Sequence, residues 1–159
     1  MSGRGLVFAA GVACLGGAAF IGFVGPSLYD GAIREEFRGA TLSAPEAFAM
    51  ASEGRVVLVD IRRPEEWAAT GSPGNAYRLD MRRDDFAESL AALIDRQGDM
   101  LPVALICARG VRSARLANRL VRQGFINVMD VPEGMLGSLA GPGWLARGLP
   151  LDRSPVPEG

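Results

Sequence analysis

The stretch "VALICARGVRSARLANRLVRQG", Val103 to Gly124, changes its hydrophobic period once, and that change sets the fold class. Val103 to Ile106 is a short continuous apolar run with no polar face, the pattern of a strand covered on both sides. From Arg112 to Gln123 the period lengthens to that of a helix. Leu116, Ala117, Leu120 and Val121 share one face, Arg112, Arg115, Arg119 and Arg122 fill the other, and Gly124 supplies the stop. A buried strand running into an amphipathic helix belongs to a right-handed crossover, so the sequence predicts an α/β domain on a mostly parallel sheet with helices on both faces.

The alternation extends in both directions. "VVLV", Val56 to Val59, closes on Asp60 as a second buried strand, and Pro64 at the head of "PEEWAA" suits a first helical turn carrying acidic side chains. Asn127 to Val131 reads as a third strand. Upstream, "SAPEAFAMASEG" has a cap at Ser43, a proline at Pro45 and a stop at Gly54. In "DDFAESLAALI", Phe86, Leu90, Leu93 and Ile94 recur at helical spacing before "RQGDMLP" breaks the pattern. No internal repeat is visible. These readings place one domain at 41–151, after a linker at 29–40 and before a flexible tail at 152–159.

Composition narrows the function classes. With 159 residues, 48% of them hydrophobic, the chain supports one core and an appendage rather than two domains. A formal net charge of -1 and a pI near 5.5 supply no basic field for nucleic acid, which is set aside as a partner. The only cysteines are Cys14 and Cys107, and there is no histidine. That excludes a disulfide framework, a clustered zinc site and a C-x-x-C redox pair, and no metal or cofactor is expected.

From Leu6 to Val24 the chain carries no charge, and as a helix this run would cover about 28 Å, close to a hydrocarbon core. Residues 1–28 therefore read as a transmembrane anchor or a cleaved signal peptide. Arg4 precedes the run while Asp30, Glu35 and Glu36 follow it, so the remainder is expected on the extracytoplasmic, periplasmic side.

Cys107 falls beyond the carboxyl end of its strand, where parallel sheets bind ligands. Ala108, Arg109, Gly110 and Val111 are small or flexible enough to curl with their N–H groups inward as an anion nest, and the helix beginning near Arg112 adds its positive end. Cations and helix N-termini favour thiolate over thiol without a histidine, which marks Cys107 as a nucleophile rather than an inert buried thiol. The spacing to the next arginine is C-x4-R, one residue shorter than the C-x5-R loop of protein tyrosine phosphatases. A tighter ring has room for one extra sulfur atom rather than for a tetrahedral oxyanion.

Taken together, "VVLVDIRRPEEW" with Asp60, Arg62 and Trp67, "CARGVRS", "GFINVMDVPEGMLG" and "GPGWLARGLPL" resemble the rhodanese family of sulfurtransferases over about Thr41 to Leu151. The resemblance implies a central, mostly parallel five-stranded sheet. It also implies that Cys107 accepts sulfane sulfur from a small anion such as thiosulfate. The persulfide would be held by the N–H groups of residues 108 to 112, and its sulfur would pass to cyanide, a thiol or a protein acceptor. Arg109 is then expected to meet the donor's charge and Arg112 to fold back on the loop or line its rim. Asp60, Arg62 and Ser113 are expected to support the loop, Asp60 as a structural ion-pair member anchoring the loop or Arg62, and Ser113 by bonding its amides. Trp67 and Trp144 read as packing residues. Where many relatives carry a histidine in "GHIPGA", this chain has "TGSPGNA", with Ser72 near the histidine's place. A membrane-anchored sulfur carrier serving one protein partner is the rival reading, with a phosphatase or arsenate reductase behind it.

Overall fold

The computed structural model describes residues 35–98 and 100–155. The apolar segment expected at 1–28 lies outside them, and none of the described helices is long and apolar enough to cross a membrane. The strands β1 (Ala40–Thr41), β2 (Val57–Asp60), β4 (Tyr77–Arg78), β5 (Val103–Ile106) and β6 (Val128–Asp130) form a five-stranded sheet in the order β1-β6-β5-β2-β4. Every neighbouring pair in it is parallel. Two further short strands, β3 (Ser72–Pro73) and β7 (Leu151–Asp152), pair antiparallel beside it.

Five helices complete the described chain: α1 (Ala44–Ser52), α2 (Pro64–Thr70), α3 (Phe86–Gln97), α4 (Val111–Arg122) and α5 (Gly143–Ala146). Alternate residues of the central strands face opposite layers, as the period-2 pleat requires. Val57, Val59, Val103 and Leu105 pack with Leu90 and Leu93 of α3 and Leu116 and Leu120 of α4. Leu58, Ala104 and Ile106 pack with Ala44 and Ala47 of α1 and Trp144 of α5. On that second face Phe48 meets Trp144 edge-on, with ring centroids 5.9 Å apart. Full burial of each large aliphatic side chain contributes about 1.5–3 kcal/mol, so the two faces together hold the sheet.

Local chemistry explains the helix starts. Ser43 and Glu46 form a reciprocal capping box at α1, in which Glu46 N donates to Ser43 Oγ at 3.4 Å and Ser43 N donates to Glu46 Oε2 at 2.8 Å. Pro64 opens α2, and Glu66 accepts from the N–H of Arg63 at 3.1 Å. Helix α4 starts at Val111, one residue before the sequence reading, because Gly110 turns left-handed at φ +78° and delivers the chain directly into helix. Strand β2 is shifted one residue onward, from Val56–Val59 to Val57–Asp60, and in register Asp60 pairs with Ile106. Strand β6 loses Asn127 to a left-handed turn at φ +56°.

The ends of the domain differ from expectation. Ala40, assigned to a linker, pairs with Met129 as part of β1. Asp152, assigned to a flexible tail, pairs with Ser72 in β7. Arg78 fixes this corner: Nε donates to Ser72 Oγ at 2.8 Å, Nη2 to Asp152 O at 2.9 Å and Nη1 to Ser154 O at 2.9 Å. At the position where relatives have histidine, Ser72 thus serves as a buried acceptor for an arginine from a neighbouring strand.

Beneath the sheet's carboxyl end lies a buried ion pair. Arg62 is 1% exposed and Asp60 is 0% exposed, and both Nε and Nη2 of the guanidinium donate to the carboxylate. Removing one partner of such a pair leaves a buried uncompensated charge, at a cost of about 3–5 kcal/mol. The Arg62→Ala variant should therefore lose that amount in urea unfolding. A loss below about 1 kcal/mol would show that the pair does not hold the fold.

Candidate active site

Cys107 is the first residue beyond β5, held at the sheet's carboxyl end where Ile61 N donates to Ile106 O at 3.0 Å. The carbonyls that follow are committed elsewhere. Met135 N donates to Cys107 O at 2.9 Å and Leu136 N donates to Ala108 O at 2.8 Å. Gly110 O accepts from Ala114 N at 3.2 Å and from Ser113 Oγ at 3.2 Å. Among the described residues, no backbone acceptor takes the N–H groups of Ala108, Gly110, Val111 or Arg112. Three of the loop's carbonyls are thus bonded to its scaffold while these four amides keep their donors, as the start of a helix also does.

Two glycines make this possible. A Cβ on Gly110, at φ +78°, would run into the carbonyl oxygen of Pro132, and one on Gly134, at φ +65°, would stand 2.6 Å from Ala108 O. The loop therefore lies directly on the backbone of residues 132–136. That backing segment is fixed by Glu133, whose side chain is 2% exposed. Its carboxylate accepts from Ala44 N at 3.3 Å, Gly143 N at 3.0 Å, Arg147 Nε at 2.7 Å and Arg147 Nη2 at 3.0 Å. Burial pushes this carboxyl up, but the arginine fork and the two amides outweigh it and hold Glu133 below the usual carboxylate range.

The cysteine does not stand in an open pocket, as the sequence reading expected. Cys107 is 1% exposed and belongs to the core beside Leu105 and Leu116. The cause is the strand pleat, which carries on past β5 and turns residue 107 to the same face as Val103 and Leu105. Ser113 is also placed differently. Rather than bonding loop amides, its buried hydroxyl donates to the Gly110 carbonyl and lies 3.5 Å from the Cys107 sulfur. A first-turn hydroxyl reaches back three residues to a carbonyl, since the amides of that turn point away from it. Rotation about one bond transfers its proton from Gly110 O to Sγ.

Arg112 and Arg109 part company. Arg112 bends to α2, where Nη1 donates to Glu66 Oε2 at 2.8 Å and Nη2 to Glu66 Oε1 at 2.6 Å. This fork raises the guanidinium's basicity, and the charge of Cys107 acts on it in the same direction. Glu66 in turn is pushed up by burial but pulled below the ordinary range by Arg112 and the Arg63 amide. Arg109 is exposed and directs Nη1 at Gly137 O, 3.4 Å away. Beyond it the backing segment presents Leu136, 45% exposed, and Leu139, 63% exposed.

Asp60 pairs with Arg62, as expected of it as an ion-pair member, but the pair does not hold the cysteine loop. Arg62 donates to Gly71 O at 2.6 Å, Thr70 Oγ1 at 2.9 Å and Glu66 O at 3.3 Å, so the pair fixes the end of α2, not the cysteine loop. It bears on the loop through α2, whose Glu66 holds Arg112, and through the charge of Asp60, which acts on Arg112. The sequence reading missed Glu66 and Glu133. Glu66 could be read only as a helix-start acid, whereas Glu133, next to Gly134 just after a strand, carried a weak local signal.

Residues 43–139 match the Rhodanese-like domain family. The chain belongs to the rhodanese-like family. It is 31% identical to the thiosulfate sulfurtransferase GlpE of Actinobacillus pleuropneumoniae over 111 residues, covering 70% of this chain and 91% of that protein. Among solved structures, Rv0390 of M. tuberculosis is 26% identical with a TM-score of 0.56, covering 73% of this chain and 98% of that one. The polysulfide-sulfur transferase homodimer of Wolinella succinogenes is 26% identical with a TM-score of 0.53, covering 79% and 86%. The rhodanese-like fold accounts for the five-stranded sheet and for the loop that follows its central strand.

The depressed Glu133 carboxyl makes the backing segment acid-sensitive. Its contribution to stability is complete above the unfolded value of 4.5 and declines as pH falls towards the lower folded value. Urea unfolding of the wild type and of Glu133→Gln should diverge most at neutral pH and converge as pH falls through the lowered folded-state value of Glu133. A difference that does not change with pH would contradict this assignment.

Proposed function

We propose that this rhodanese-like chain is a sulfurtransferase that carries sulfane sulfur as a persulfide on Cys107. It moves sulfur from a donor such as thiosulfate to a thiophilic acceptor, cyanide or a thiol. The observation that carries this reading is the loop after β5, where the carbonyls of Cys107, Ala108 and Gly110 are bonded to the scaffold while no backbone acceptor among the described residues takes the amides of Ala108, Gly110, Val111 and Arg112 at the head of the twelve-residue helix α4. In the proposed cycle the Cys107 thiolate attacks the outer sulfur of thiosulfate and sulfite departs with the bonding electron pair. The amides of Ala108, Arg109, Gly110, Val111 and Arg112 then hold the outer sulfur of the persulfide. Ser113 supplies a hydroxyl that follows the charge on Sγ. An acceptor nucleophile takes the outer sulfur and restores the thiolate.

Burial of Cys107 fits a reaction in which one sulfur atom must arrive. Ala108, Val111 and Arg112 are half-buried and Arg109 is exposed, so in this reading the donor approaches from the loop side. A phosphatase or arsenate reductase fits less well. Such chemistry needs an arginine free to clamp a tetrahedral anion, and both terminal nitrogens of Arg112 are forked onto Glu66. In this reading Leu6–Val24 would serve as a signal or anchor and, with Arg4 before it, would direct the domain to the extracytoplasmic side, and the exposed Leu136 and Leu139 would offer a protein acceptor a foothold beside the loop.

Covalent storage of the sulfur predicts ping-pong kinetics, with parallel double-reciprocal lines when thiosulfate and cyanide are varied. A folded Cys107→Ser variant should lose at least about a thousandfold in thiocyanate formation. Retained turnover in that variant, or hydrolysis of an aryl phosphate by the wild type, would overturn the assignment.

A further inference from the structure

Resting on the sulfurtransferase reading, we infer that Glu66 sets the charge of the donor this site accepts. By occupying Arg112 it suits the loop mouth to a neutral or monoanionic alkyl persulfide rather than to a sulfonate-bearing dianion.

The arginine that interacts with the charge of Cys107 is already matched. Arg112 stands in the first turn of α4, interacts with the charge of Cys107, and gives both Nη atoms to one carboxylate at 2.6 and 2.8 Å. A planar guanidinium fork fits a sulfonate as well as a carboxylate, so an incoming sulfonate must compete with Glu66 for the same edge. The other arginines facing Glu66 are matched too. Arg62 is bound by Asp60 at 2.8 Å, and Arg63 lies 3.2 Å from Glu65 and 3.5 Å from Glu66. Glu66 remains ionised at neutral pH, because Arg112 and the Arg63 amide lower its pKa.

The loop's own side chains do not make up the deficit. Ala108, Gly110 and Val111 carry no polar group, and the Ser113 hydroxyl is buried between Gly110 O and the sulfur. The loop amides are the donors the persulfide needs for its outer sulfur, so they are not available to three sulfonate oxygens as well. Arg109 is turned towards Gly137 O on the backing segment, where the neighbouring exposed groups are Leu136 and Leu139. An alkyl group finds apolar contact there, on Leu136 and Leu139.

The transfer balances for such a donor. Cys107–S⁻ attacks the terminal sulfur of R–S–SH, a new S–S bond forms as the donor's S–S bond breaks, and R–S⁻ leaves with the electron pair. Cys107–S–SH then carries the sulfur and its proton. For thiosulfate the leaving group is sulfite, and a dianion must reach the loop.

The test compares kcat/KM for thiosulfate and for 2-hydroxyethyl persulfide, with cyanide as acceptor, in wild type, Glu66→Gln and Glu66→Asp. The wild type should prefer the persulfide. Removing one negative charge acts on the donor in proportion to the donor's charge. Glu66→Gln should therefore raise thiosulfate kcat/KM about tenfold, mainly through KM, and persulfide kcat/KM by no more than about threefold, the response of a monoanion, with none for the neutral form and all gains shrinking in high salt. Glu66→Asp, which keeps the charge, should leave the ratio of the two donors at the wild-type value. Equal changes for both donors in Glu66→Gln, a ratio shifted as far by Glu66→Asp, or a wild type that prefers thiosulfate would overturn the inference. Transfer from neither donor by the wild type would instead defeat the sulfurtransferase reading, and this inference with it.

Discussion

The site depends on two hydrogen bonds, from the amides of Met135 and Leu136 to the carbonyls of Cys107 and Ala108. A peptide's N–H and C=O point in opposite directions, so fixing the carbonyls on the backing segment fixes where the neighbouring amides can be used. Close approach is possible only because residues 110 and 134 lack a Cβ. The backing segment is itself held by the buried Glu133 carboxylate, which gathers amides from α1 and the start of α5 together with Arg147. Hydrophobic burial gives the sheet its stability, while this short chain of polar contacts gives the loop its orientation.

Charge around the site is organised as matched pairs. Asp60 and Arg62 are buried together and tie down the end of α2 at Thr70 and Gly71. Helix α2 then presents Glu66, which takes Arg112 from α4. Stability and electrostatics are linked here, because the buried pair that anchors α2 also sets where the carboxylate opposite the thiol stands. In the proposed cycle the sulfur of Cys107 works beside an Arg112 already paired with Glu66 and at the head of α4, whose main-chain dipoles favour its charge.

Much of this was legible in the sequence. Continuous apolar runs gave β2 and β5, the arginine-studded amphipathic pattern gave α4, and a lone thiol between strand and helix marked the site. What escaped was long-range. Arg112 and Glu66 are 46 positions apart, and a glutamate after Pro64 carries no local sign of a partner on another helix. Two-residue strands such as β3 and β7 are too short for periodicity, so Asp152 read as tail although Arg78 ties it to the domain. The burial of Cys107 was recoverable, because extending the alternation from Val103 and Leu105 by one more step turns residue 107 inward.

The central claim is that the loop amides receive the sulfur carried by Cys107, and amide NMR reads it directly. On loading with sulfane sulfur, the ¹⁵N–¹H resonances of residues 108–112 should move downfield as a group and return when cyanide removes the sulfur. Resonances that stay in place while mass measurement shows sulfur on Cys107, or shifts spread through the surrounding core instead of the loop, would contradict the account.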